Sequence, residues 1–223
     1  MMAIPQSQME SPNRQSPIAQ QSRNPPIAQS AILLASASPR RAQLLTAAGI
    51  RFQVQPAEVD EAPQPGEAPA AYVERLALEK ARHVAAARPG RLVLGADTTV
   101  VVAGCMLGKA ADAAEARGML QQLSGCAHSV LTGVALVGPG VSEVTSAVCT
   151  VRFAAMTSED IEWYLATGEW RDKAGAYAIQ GHAARFVEQL EGSYTNVVGL
   201  PVALVCGLLM RYPEGRGAVK STP

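Results

Sequence analysis

Apolar positions along this chain recur with two periods, and the switches between them predict an alternating order of strands and helices. Ala31 to Ser36 is a continuous apolar run that reads as a strand, and residues 39 to 48 read as a helix ended by Gly49. After a Pro-rich loop near 56 to 69, Val73, Leu76, Ala77, Ala81 and Val84 recur at helical spacing and predict a helix from about Ala70 to Ala87. Leu92 to Val102 is nearly unbroken in apolar character, the mark of a central strand covered on both faces. Asp112, with Glu115 three residues on, starts another helix that stops before Gly125. Ser129 to Val137 and Glu143 to Phe153 read as a hairpin turning at Gly138-Pro139-Gly140, and Thr157 with Asp160 opens a helix closed near Gly168. A polar, glycine-rich loop then runs to Gly181, longer than a hairpin requires. A last helix is expected from about Thr195 to Tyr212, kinked at Pro201.

Composition sets the ends of this pattern. Residues 1–30 are rich in Gln, Ser, Pro and Asn and read as a disordered arm, 31–212 as one domain, and 213–223 as a flexible tail. Lys+Arg and Asp+Glu both total 19, so any basic site must be local, and neither nucleic acid nor a membrane is expected as a stable partner. Cys105, Cys126, Cys149 and Cys206 lack C-x-x-C spacing and read as free thiols of a reducing compartment. No signal-peptide core or membrane-length run is present, and a cytoplasmic location is the expectation. His83, His128 and His182 show no zinc-ligand spacing, which leaves a carboxylate-held magnesium open.

Chemistry concentrates at a few positions. In Ser38-Pro39-Arg40-Arg41 a favoured N-cap and first-turn proline precede two guanidinium groups at the positive end of a helix, where phosphate fits; a merely capped helix with solvated arginines fits equally. Lys80 lies on the core-facing stripe of its helix, and a buried ammonium there needs an anionic partner unless it reaches outward to water. Asp97 is the only charge of its strand and must pair, bind a metal or open into a cleft, or else accept local hydrogen bonds. Gly108-Lys109 suits a phosphate or a plain surface hairpin, the glycine spacing excluding a P-loop. Gln180 has the donors and acceptor to read a nucleobase edge, or is an ordinary loop amide.

Taken together, Leu34-Ala35-Ser36-Ala37-Ser38-Pro39-Arg40-Arg41, Gly95-Ala96-Asp97-Thr98, Leu107-Gly108-Lys109, Leu123-Ser124-Gly125 with His128, and Lys173-Ala174-Gly175-Ala176-Tyr177-Ala178-Ile179-Gln180-Gly181 closely resemble the Maf family of nucleoside triphosphate pyrophosphatases. Five blocks in register over residues 31 to 210 carry the likeness, with Ala110 departing from a proline common after the lysine. The resemblance implies an α/β fold, a mixed twisted sheet flanked by helices with a central cleft, like the inosine triphosphatase group. It implies hydrolysis of dTTP and UTP to monophosphate and pyrophosphate, with Asp97 as proton acceptor. It further implies Arg40, Thr98 and Gln180 for substrate choice and Ser38, Arg41, Glu61, Lys80 and Lys109 in the rest of the polar cleft. By their chemistry Ser38, Arg40, Arg41, Lys80 and Lys109 suit the phosphates, and Asp97 suits a base, a ligand of magnesium or manganese, or both, with Glu61 as a second ligand. Glu61 belongs to the acidic run Glu58 to Glu61, which also reads as a solvated loop. The same reaction on another base such as 7-methyl-GTP, or a nucleotide-binding regulator of septum formation, are the competing functions, and a homodimer is an assembly open to the chain.

Overall fold

A computed structural model describes residues 31–219, so the expected disordered arm of residues 1–30 lies outside the described residues. The elements follow in the order β1 (Ile32–Ala35), α1 (Pro39–Ala47), β2 (Phe52–Val54), α2 (Pro69–Ala87), β3 (Val93–Val102), β4 (Cys105–Leu107), α3 (Ala113–Leu123), β5 (Ala127–Gly138), β6 (Val141–Phe153) and α4 (Ser158–Thr167), then a short 3-10 turn (His182–Phe186), β7 (Val187–Glu191), α5 (Tyr194–Val198), α6 (Val202–Leu209) and α7 (Pro213–Val219). They form a seven-stranded sheet of order β2-β1-β3-β5-β6-β7, with β4 paired to β3. The pairs β1–β2 and β1–β3 are parallel, and all others are antiparallel, so the sheet is mixed as expected.

Helix α2 crosses the sheet unusually closely, and glycine is the reason. A Cβ on Gly95 of β3 would lie 2.1 Å from the Ala77 carbonyl oxygen, and one on Gly133 of β5 would lie 2.1 Å from that of Val73. These two glycines form a trough that admits the helix backbone. Val73, Leu76, Ala77, Ala81 and Val84 are buried there as the periodicity predicts, the larger ones contributing roughly 1.5–3 kcal/mol each. On the opposite face, Ile32, Leu34, Leu94 and Leu136 pack with Leu45, Val205 and Leu209. A further core, with Leu120, Phe153, Tyr164 and Tyr177, fills the space beneath α3 and α4.

Local chemistry starts and stops the helices. Asp112 accepts from the Glu115 amide at 2.9 Å while Glu115 accepts from Ala111 at 2.8 Å, and Thr157 and Asp160 form a complete capping box. Two sequence expectations are corrected. The single helix over 195–212 is two helices, because Gly199 at φ 123° leaves the helical region and Pro201 cannot continue it. Of the tail expected to be flexible over 213–223, residues 213–219 form α7, held because Ala218 is fully buried and its carbonyl accepts from the Arg51 amide at 3.1 Å, and residues 220–223 lie outside the described residues. No helix among the described residues is long and apolar enough to cross a membrane.

Candidate active site

The cleft opens where β1 ends, where β3 passes from one core to the other, and where the loop after α4 folds back. It encloses about 660 Å³, enough for a nucleotide-sized ligand. Asp97 and Thr98 are neighbours on β3 and face opposite sides of the sheet. Asp97 faces α2, where the buried Lys80 ammonium lies 2.6 Å from its Oδ1 and 2.6 Å from Glu61 Oε1. The other oxygen of Glu61 accepts from Lys109 at 3.0 Å, so one carboxylate bridges two lysines from different elements. Burial alone would raise the pKa of Glu61, but hydrogen bonds and charge from Lys80 and Lys109 bring it down to about 2.

The loop carrying Glu61 is strapped onto α2. Tyr72 donates to the Glu61 backbone carbonyl at 3.0 Å, and Arg75 grips both carboxylate oxygens of Glu67 at 2.7 Å while also reaching the Ala62 carbonyl. Lys109 is fixed differently: residue 109 forms a bridge with Ala174, and the Gly175 amide donates to the Gly108 carbonyl at 3.0 Å. Gly175, at φ 67°, lets the turn press onto the Val100 side chain.

Arg40 and Arg41 separate completely, and only one of them remains open to the cleft. Arg41 is buried: its Nε donates to the Gly199 carbonyl at 2.8 Å, one terminal nitrogen to the Ala96 carbonyl at 2.8 Å and Ser36 Oγ at 3.0 Å, and the other to Thr98 Oγ1 at 3.1 Å. It therefore ties β1, β3 and the α5–α6 break together while lining the cleft. Arg40 is half-buried and has no hydrogen-bond or ion-pair partner among the described residues, leaving its donors to the cleft. Ser38 occupies the N-cap position without a side-chain capping bond, and its amide donates to Ser36 Oγ at 3.2 Å. Ser36 is the hydroxyl the capping rule misses.

Thr98 continues inward to Thr132 at 3.0 Å, and Thr132 donates to the Asn196 carbonyl at 3.2 Å. The aromatic Tyr177 forms part of the wall with Val100, Val130, Val197 and Val198, and its hydroxyl meets His128 Nε2 at 2.9 Å. Gln180 is the one expected site residue that the structure leaves apart: it is exposed and outside the cleft lining. Asp172, Lys173 and Tyr177 of the same loop line the cleft instead. The Lys173-to-Gly181 block signals Lys173 and Tyr177, and Asp172 lies just before it.

Among the described residues there is no group of three or more His, Cys, Asp or Glu side chains arranged to hold a metal. Glu61 and Asp97 nevertheless converge on the Lys80 ammonium, each at 2.6 Å, which places two carboxylates side by side in the cleft. That donor set fits a magnesium-type ion, which commonly takes one or two carboxylates and completes its shell with water and phosphate oxygens.

The sequence signature described as Maf-like protein matches residues 31–212, which takes in every element that lines this cleft. The chain belongs to the Maf family. Among its relatives, a dTTP/UTP pyrophosphatase of Symbiobacterium thermophilum is 52% identical over 181 residues, covering 81% of this chain and 93% of that protein. A dTTP/UTP pyrophosphatase of Myxococcus xanthus is 53% identical over 184 residues, covering 82% and 93%. One from Citrifermentans bemidjiense is 52% identical over 182 residues, covering 81% and 94%. Within this Maf domain Asp97, Lys80 and Lys109 meet in one place from β3, from α2 and from the segment after β4.

Proposed function

We propose that this Maf family protein hydrolyses dTTP and UTP to the nucleoside monophosphate and pyrophosphate. The observation that carries the reading is Asp97: a carboxylate on a buried strand, oriented through Oδ1 by Lys80, with Oδ2 free of hydrogen-bond partners among the described residues and open to the cleft. Relatives named for this reaction match over more than nine-tenths of their own length.

In this reading water attacks the α-phosphorus. The bond from the water oxygen to phosphorus forms, the bridging oxygen departs with the pyrophosphate, and the proton passes to Asp97 Oδ2. Lys80 holds Asp97 in place. Arg40, Lys109 and the first-turn amides of α1 stabilise the charge that grows on the leaving group. Glu61 and Asp97 would hold a magnesium or manganese ion, which when bound neutralises phosphate charge and acidifies a coordinated water. The wall of Val130, Val197, Val198 and Tyr177 supplies an apolar bed for base and sugar.

The test is release of pyrophosphate, as distinct from orthophosphate, from dTTP, UTP, CTP, GTP and 7-methyl-GTP with magnesium or manganese. Pyrophosphate from dTTP and UTP is the expected result. Pyrophosphate from 7-methyl-GTP alone would overturn the base preference, and nucleotide binding without turnover would replace catalysis with a binding role.

A further inference from the structure

Five cations and three carboxylates line the cleft, and their partners divide them unequally. Arg40, Arg41, Lys80, Lys109 and Lys173 face Glu61, Asp97 and Asp172. Lys80 is neutralised by Asp97 and Glu61, and Lys109 by Glu61. Arg41 spends three nitrogens on carbonyl and hydroxyl oxygens deep in the fold. Arg40 and Lys173 remain. Neither forms an ion pair with any described residue, and the only hydrogen bond of the Lys173 ammonium is to the Arg171 carbonyl at 3.0 Å, which leaves two of its three donors. The two come from different elements, the first turn of α1 and the loop after α4, and the fold brings them within electrostatic reach of each other.

Asp172, in the same loop as Lys173, offsets part of the charge of both groups but forms no ion pair with either, so two cations face one carboxylate and a net positive charge is left for an anionic ligand. Lys173 is also well anchored. The Ala176 amide donates to its own carbonyl at 3.1 Å, and the next residue, Ala174, bridges to Lys109, so Lys173 and Lys109 share one rigid turn. Burial and then the charge of Arg40 lower the Lys173 pKa, with Asp172 and Glu169 acting in the other direction.

Building on the proposed reaction, we infer that Lys173 is a substrate-binding residue which closes with Arg40 on the polyphosphate chain, beside the Lys80–Asp97–Glu61 cluster that Lys109 joins to the same turn. The cleft then has an ion-paired part that performs the proton transfer and a part with net positive charge that grips the anion.

The experiment titrates inorganic tripolyphosphate into the full chain by calorimetry, comparing wild type, Lys173→Met, Lys173→Gln and Lys173→Arg, with thermal melting of each. The expected result is a loss of affinity of about tenfold or more in the Met and Gln variants, with Arg restoring most of it and melting temperatures unchanged, as for a charge-assisted phosphate contact. KM for dTTP should rise in parallel while kcat changes less. Unaltered tripolyphosphate binding in whichever of Lys173→Met and Lys173→Gln folds, or equal losses in the Arg variant, would overturn the assignment. Because the probe is not turned over, a wild type that binds tripolyphosphate through Lys173 yet releases no pyrophosphate from nucleotides would refute the reaction and leave the anion site standing.

Discussion

Acid should weaken this fold through one histidine. His128 is 2% exposed, wedged edge-on between Phe153 and Tyr177, and its Nδ1 has no hydrogen-bond partner among the described residues. Burial brings its pKa down to about 4, against a weaker upward pull from the Cys126 backbone, while the unfolded chain titrates near 6.5. The unfolded state therefore binds more protons between these values, so the stability from the neutral ring is complete above about pH 6.5 and is lost as pH falls toward 4. At pH 5 the loss comes to about 2 kcal/mol, which for a domain of this size lowers Tm by about 4–8 °C. Glu61 does not blur the window, since its carboxylate titrates near 2 in the fold and 4.5 outside it. Thermal melts of wild type and His128→Gln near pH 7.5 and near pH 5 isolate the effect. The glutamine variant pays a constant cost at both pH values, but its Tm should fall less on acidification by about that 4–8 °C. Equal acid shifts in the two proteins would refute the reasoning.

Asp97→Asn should cut pyrophosphate release by at least about 100-fold while dTTP affinity stays within a few fold, because the amide keeps the shape and loses the proton acceptor; an active variant would remove Asp97 from the chemistry. Arg41→Lys should cost about 3 kcal/mol in denaturant unfolding, since a lysine cannot reproduce bonds from three nitrogens, whereas Arg40→Lys should leave stability within about 0.5 kcal/mol and raise KM. Gly133→Ala should destabilise by about 3 kcal/mol and abolish activity together, the new Cβ forcing α2 off the sheet and carrying Lys80 with it; a stable, active alanine variant would show that the trough is not needed.

Much of this arrangement can be read from residues alone, and the failures share a cause. The stripe of α2, the buried β3 with its lone charge, the capping pairs of α3 and α4 and the turn of the β5–β6 hairpin are all local patterns, and local patterns survive into the fold. Lys80 on an apolar stripe and Asp97 in an apolar strand are two halves of one fact, each unexplained until they meet. What is not legible depends on distant contacts. Strand β2 and helix α7 are short and weakly patterned, and are held by β1 and by the α7 carbonyls that bond Arg51. Ser36 becomes the hydroxyl that holds the start of α1 because Arg41, a turn further on, and the Ser38 amide both donate to it. Gln180 and Lys173 sit in one sequence block, but the backbone of the loop, with left-handed Asp172, Gly175 and Ala176, decides which of them enters the cleft.

The adjacency of Asp97 and Thr98 makes the chemistry a matter of parity. A slip of β3 by one residue would swap their faces: with Asp97 moved into the place of Thr98, Ala96 would face the Lys80 ammonium and a carboxylate would enter the space where Thr98 meets Arg41 and Thr132. Nothing in the cleft itself could correct that error. The correction lies in the length of the strand, which is zipped to β5 through nine successive residue pairs from Val93 to Val101 and to β1 on its other edge, so every apolar side chain from Val93 to Val100 would have to change faces as well. The core of the sheet thus acts as the reading frame of the active site.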